Sequence, residues 1–165
     1  MRVVLQSAIL TACLVLPALG SAHEFTAGPI TVDHPTSRPT PKAAKTGVGY
    51  LSISNVGTEA DRLVGGSAEA SERFELHVSE IVDGVARMRP VEGGVVIEPG
   101  EAVEFASGGI HIMLRDLKKP LVVGESFKGE LVFEKAGTIP VDFKVERPGV
   151  GAPITHESHA MSTSQ

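Results

Sequence analysis

Apolar and polar residues alternate with a period of two through much of the chain beyond residue 23. The cleanest run is 138–146, where Ile139, Val141, Phe143 and Val145 fall on one side and Pro140, Asp142, Lys144 and Glu146 on the other. That pattern belongs to a strand with one face in a core and one in water. Shorter runs at 30–32, 48–55, 62–69, 73–79, 95–97, 102–105, 111–114 and 127–133 predict further strands, separated by Gly, Pro, Asn and Asp. No stretch of a dozen residues beyond the amino-terminal segment shows a helical period, and there is no internal repeat. About nine short strands joined by turns imply an all-β protein, an antiparallel β-sandwich or Greek-key barrel.

One turn signal carries register information. Asp83-Gly84 is suited to a two-residue type I′ hairpin, which needs positive φ at both central residues. Such a loop pairs Val82 with Val85, Ser79 with Met88 and His77 with Pro90. His77 and Met88 then become diagonal neighbours on one face, with backbones roughly 7–8 Å apart. The same register puts Arg87 and Arg89 on the face of Leu76, an awkward neighbour for charge. Within 73–79, Phe74, Leu76 and Val78 share the apolar face, so Glu75 and His77 point the other way.

The front of the chain does not follow the strand pattern. Arg2, the mostly apolar 9–16 and the small residues Leu19-Gly20-Ser21-Ala22 have the three-part form of a signal peptide. The apolar run is too short to span a bilayer. Leu10-Thr11-Ala12-Cys13 matches a lipoprotein signal, but it lies close to the start and the apolar segment continues past it. The expected product is export with cleavage after Ala22. This leaves residues 23–150 as one β-sandwich domain and 151–165 as a flexible tail.

Cleavage removes Cys13, the only cysteine, and Arg2, taking the net charge from −5 to −6. The processed protein would have neither a disulfide nor a thiolate ligand, which excludes a blue-copper His/Cys centre. Its acidity argues against nucleic acid and anionic membrane surfaces as partners. No membrane insertion is expected after cleavage, and the chain is expected to be a monomer.

The remaining chemistry lies in histidine and methionine. Of the four Met, Met1 is the initiator; Met88, Met113 and Met161 each lie near a His in sequence or in the expected fold. Methionine used as core filler would not be distributed this way. Thioether and imidazole donors without thiolate or carboxylate suit monovalent copper, and His111 and Met113, two apart in a strand, share a face.

The order His77, ten residues, Met88, twenty-two residues, His111-Ile112-Met113 resembles the His/Met motif of the PCuAC-type periplasmic copper chaperones. The middle gap is one residue longer than that family's. The words M-R-P-V-E-G-G (88–94) and G-G-I-H-I-M-L (108–114) are similar too, as is His34-Pro35-Thr36-Ser37-Arg38, except that Thr36 stands where the family usually has Trp. The resemblance implies a cupredoxin-like sandwich that binds Cu(I) through His77, Met88, His111 and Met113. It further implies delivery of copper in the periplasm to the CuA subunit of a respiratory oxidase or a related centre, directly or through a thioredoxin-like assembly factor.

Two weaker candidates lie at the ends. His156, His159 and Met161 resemble the His/Met-rich extension of some family members and would suit Cu(II) or copper capture. His23, if made amino-terminal by cleavage, would combine amine and imidazole as in a histidine brace, with His34 as the second ring; His34 otherwise reads as structural, at a strand-to-loop junction. The competing readings are a histidine-brace copper enzyme using His23 and a metal-free interaction sandwich. No Ser/His/Asp set, CxxC or phosphate-binding loop supports other catalysis, so the expectation is a carrier and not an enzyme.

Overall fold

The structure, a computed structural model, describes residues 24–148. These form eleven strands and no helix: β1 (Glu24–Ala27), β2 (Ile30–Ser37), β3 (Thr46–Asn55), β4 (Asp61–Ala68), β5 (Ser71–Val82), β6 (Val85–Pro90), β7 (Val95–Ile97), β8 (Ala102–Phe105), β9 (Ile110–Leu117), β10 (Ser126–Phe133) and β11 (Gly137–Val145). Each of the nine predicted runs coincides with a strand, several of which are longer, while 62–69 and 138–146 each run one residue past the strand's end. Two elements go beyond them. One is β1, a four-residue edge strand that turns at Gly28 and pairs with β2. The other is β6, foreseen only as the far arm of the Asp83-Gly84 hairpin.

The strand β2 runs through Pro35, where the sequence suggests an end. A register shift between Asp33 and Thr36 takes His34 and Pro35 out of the ladder with β3, so the missing proline N–H costs no hydrogen bond. His34 therefore sits inside a bulged strand, at φ 49°, and not at a strand-to-loop junction. It is exposed, with Nδ1 2.7 Å from an Asp33 carboxylate oxygen.

The strands follow the order β6-β5-β9-β3-β2-β11-β10-β4-β7, with β1 added to β2 and β8 to β3. All pairings are antiparallel except that of β11 with β2. The path folds back around one core, in which Leu76, Ile112 and Leu114 from one end join Leu63, Leu131 and Phe143 from the other. This is the expected all-β sandwich. The strand β3 divides its length between partners: Thr46–Gly49 pairs with β9, and Leu51–Ser54 with β8.

A buried carboxylate closes the far end. Asp61, at the start of β4, accepts backbone N–H groups from Arg62 (2.7 Å), Lys135 (3.0 Å) and Ala136 (2.9 Å), so it clamps the β10–β11 turn. Burial alone would raise its carboxyl. Donation from the three N–H groups, helped by the Lys135 charge, instead holds it below the ordinary value of 3.8. The unfolded chain then takes up this proton first, so the associated stability is complete above the ordinary value and is lost as pH falls through the native one. Asp61→Asn is expected to cost about 1–3 kcal/mol at neutral pH. It should also flatten the acid side of the stability curve, which urea midpoints at pH 7 and at pH 3 would show.

Candidate metal centre

The hairpin of β5 and β6 forms in the register that the turn residues predict. Asp83 and Gly84 have φ of 54° and 76°, Val82 pairs with Val85, Ser79 with Met88 and His77 with Pro90. The awkward arginines are accommodated because the hairpin extends past the core. Arg89 lies in solvent and donates to Glu80 at 2.7 Å, holding that carboxyl below its ordinary range.

His111 and Met113 reach the same face by a route that the sequence does not show. The strand β9 hydrogen-bonds directly alongside β5, with His77 opposite His111 and Glu75 opposite Met113. Directly paired residues of antiparallel strands point to the same side. One face of the three adjacent strands β6-β5-β9 therefore carries Met88, His77, His111 and Met113 together. Met88 and Met113 are diagonal to His77 on opposite sides.

The two imidazoles face each other with ring centroids 6.2 Å apart and planes tilted by 44°. His77 is 8% exposed and His111 3%. Both Leu76 and His77 are buried, so β5 is covered on both sides at this point. Met113 is half-buried, and Met88 is 52% exposed on the edge strand. The donor set thus grades from two enclosed nitrogens to one sulfur facing solvent.

Each ring has one nitrogen engaged and one without a partner. His77 Nε2 lies 2.9 Å from Glu75 Oε2, and His111 Nδ1 lies 3.1 Å from the Gly109 carbonyl oxygen. An ionised carboxylate and a carbonyl can only accept, so these nitrogens carry the protons in the neutral rings. The ring nitrogens left without a hydrogen bond, both buried, are His77 Nδ1 and His111 Nε2. Each then has a lone pair and no protein donor. An unpaired buried polar atom costs about 1–3 kcal/mol, so two on facing residues call for an explanation. A metal that accepts both lone pairs supplies one, and an outer hydrogen bond on the opposite ring nitrogen is the usual support for a ligating histidine.

The chemistry of the set matches a soft ion. Among the described residues no group of three or more His, Cys, Asp or Glu is placed to hold a metal. The face offers imidazole and thioether, donors that suit monovalent copper better than Zn²⁺ or harder ions. Two clefts among the described residues lie elsewhere, one lined by Phe25, Ser67, Lys128 and Asp142 and the other by Pro29, Gly57, Glu59 and Lys135. Neither includes any of the four donors.

The strand pattern alone misses the roles of Glu75 and Gly109. Their signals are present, since Glu75 is two residues before His77 and so shares its face, and Gly109 immediately precedes the I-H-I-M word. His23, His156, His159 and Met161 lie outside the described residues.

Residues 30–145 match the family described as "Putative lipoprotein LpqE-like". A protein of Leifsonia xyli subsp. xyli named "Putative lipoprotein Lxx21020" is 31% identical over 140 residues, covering 83% of this chain and 82% of the relative. Among solved structures, the copper-bound PCuAC domain from PmoF2 is 29% identical with a TM-score of 0.65, over 76% of this chain and 99% of the domain. The apo PCuAC domain from PmoF1 is 30% identical with the same TM-score, over 76% of this chain and all of that domain. The Cu(I) form of DR1885 from Deinococcus radiodurans, 22% identical with a TM-score of 0.59 over 81% of this chain and 87% of its own, shares the fold. The match from β2 through β11, with the cupredoxin-like architecture of these domains, places the chain in the LpqE-like family of PCuAC-type proteins.

Proposed function

We propose that this protein is an exported carrier that binds Cu(I) through His77, Met88, His111 and Met113 and passes it to a copper-requiring acceptor. The observation that carries the reading is the pair of buried, facing imidazoles, each with an unpartnered nitrogen, on a sheet face that also bears two thioethers. The copper-bound PmoF2 domain, alike in fold, supports the choice of ion. Neutral donors leave Cu(I) with its own charge, and the absence of thiolate keeps binding exchangeable. Met88, the most exposed donor, is the one an incoming ligand can replace first, which suits handover better than turnover. The acceptor we favour is the CuA subunit of a respiratory oxidase or a thioredoxin-like assembly factor, on the family resemblance.

Titrating the reduced chain with Cu(I) against a chromophoric chelator tests this. One equivalent withheld from the chelator by residues 24–148 alone is the expected result. No competition would favour the metal-free interaction sandwich. Retention only when 149–165 is present would move the site to His156, His159 and Met161.

Export is part of the proposal, by either of two amino-terminal routes. Cleavage after Ala22 would release a soluble periplasmic protein. The lipoprotein names of the relatives favour the alternative signal Leu10-Thr11-Ala12-Cys13, which would leave a diacylated Cys13 at the membrane. Intact mass of the protein from its host separates them, since one product begins at His23 and the other at an acylated Cys13.

A further inference from the structure

The hydrogen bond to His77 belongs to a longer chain of charges. Glu75 Oε2 accepts the hydrogen bond of the imidazole Nε2–H at 2.9 Å, while Oε1 faces guanidinium nitrogens of Arg115 at 3.7 Å and Arg73 at 3.8 Å. Arg73 is itself anchored, its Nε and a terminal nitrogen each 2.9 Å from Asp116 Oδ2. Backbone pairing holds the participants in place, with Arg73 opposite Arg115 and Glu75 opposite Met113 on β5 and β9. The carboxylate is therefore held from outside by two cations and presents its other oxygen to the ring. Its side chain is 28% exposed, against 50% for Arg73 and 44% for Arg115, so the order runs from solvent inward to the imidazole.

We infer that Glu75 is a positioning residue for the metal centre, fixing His77 in the Nε2–H tautomer so that it ligates through Nδ1, while Gly109 fixes His111 to ligate through Nε2. The inference rests on the copper reading for the metal and on geometry alone for the tautomer. Without Glu75 the neutral ring would distribute its proton over both nitrogens and turn more freely, so part of the population would present the wrong atom. An ionised carboxylate hydrogen-bonded to the far nitrogen also makes the ligating nitrogen a better donor, and it sets one negative charge beside a cation otherwise surrounded by neutral ligands. Arg73 and Arg115 keep that carboxylate from swinging inward to become a ligand itself.

The test uses Glu75→Leu and Glu75→Gln in the full chain, each checked for an unchanged amide fingerprint. Long-range proton–nitrogen correlation spectra of the metal-free protein should show His77 protonated at Nε2 in the wild type and mixed in Glu75→Leu. Glu75→Gln, which retains an acceptor oxygen, should keep the tautomer. Chelator competition should show Cu(I) affinity lowered about 10- to 100-fold in Glu75→Leu, with a smaller loss in Glu75→Gln. Loading the wild type with Cu(I) should shift Nδ1 and leave Nε2 protonated. A His77 tautomer indifferent to Glu75→Leu overturns the inference whether or not copper binds. So does loss of the Nε2 proton on loading, or affinity that rises when Glu75 is removed. If the wild type fails to compete for Cu(I) while the tautomer responds as described, the copper reading falls and the positioning of the ring by Glu75 stands.

Discussion

His111→Leu is expected to lower Cu(I) affinity by more than about 100-fold, beyond what loss of an outer hydrogen-bond partner costs, while leaving the metal-free protein folded and within about 1 kcal/mol of wild-type stability. The two halves of this expectation have one cause. His111 is 3% exposed and its Nε2 has no hydrogen-bond partner, so the metal-free fold tolerates an unsatisfied buried atom there. Exchanging the ring for an apolar side chain of similar bulk relieves that penalty, and the gain offsets the lost hydrogen bond to Gly109. Copper loading provides a second measure. A ligand at a hundred times its dissociation constant stabilises a fold by about 2.7 kcal/mol, so the wild type should melt later with Cu(I) and the variant should not. A histidine retained for packing would behave the opposite way, with stability falling and copper affinity unaffected. Met88→Leu should be milder than His111→Leu, because Met88 is 52% exposed and its place is the one that solvent or an acceptor can take.

Phe143→Ala is expected to be the most damaging single truncation of the core, costing about 3–5 kcal/mol. Phe143 is fully buried on β11 and stacks on Phe127 of β10, with centroids 5.2 Å apart and planes within 13°. Glycines make room for its ring on two sides. A Cβ added to Gly49 would stand 3.1 Å from one edge carbon, and one added to Gly129 would stand 2.9 Å from another. Since β3 and β10 are both shaped to the ring, neither can collapse into the space it leaves. For a domain whose total stability is on the order of 5–15 kcal/mol, this loss approaches unfolding. Urea denaturation reads it directly. A loss near 1 kcal/mol would mean that the core relaxes around the gap.

These outcomes differ in how far the amino-acid sequence foretells them. Alternation of apolar and polar residues places Phe143 inward with no reference to the fold, because side chains of a strand point to opposite faces in turn. The Asp83-Gly84 turn does the same for register. Its backbone sterics admit only a tight hairpin, so Met88 must lie diagonal to His77. The spacing of His111 and Met113 ensures that they share a face. Half of the candidate site is therefore local information, readable from the sequence.

The other half belongs to the tertiary structure. The register of β9 on β5, with His77 opposite His111, joins segments far apart in the chain and has no turn to determine it. It follows from the demand that Leu76, Ile112 and Leu114 enter one core, since a slip by one residue would turn every one of them outward. The bulge that carries β2 through Pro35 and puts His34 in solvent is likewise a compromise with its neighbour β3. The choice of ring nitrogen is subtler still. It depends on Glu75 Oε2 and the Gly109 carbonyl lying within hydrogen-bond reach, and distances of that kind exist only after packing is complete. The sequence by itself determined most of the strands, their faces, the hairpin and the soft donors. Only the folded sheet decided that the two imidazoles face each other, buried, each with one nitrogen left open, because pairing between distant strands is governed by the shared core and not by any local preference of the chain.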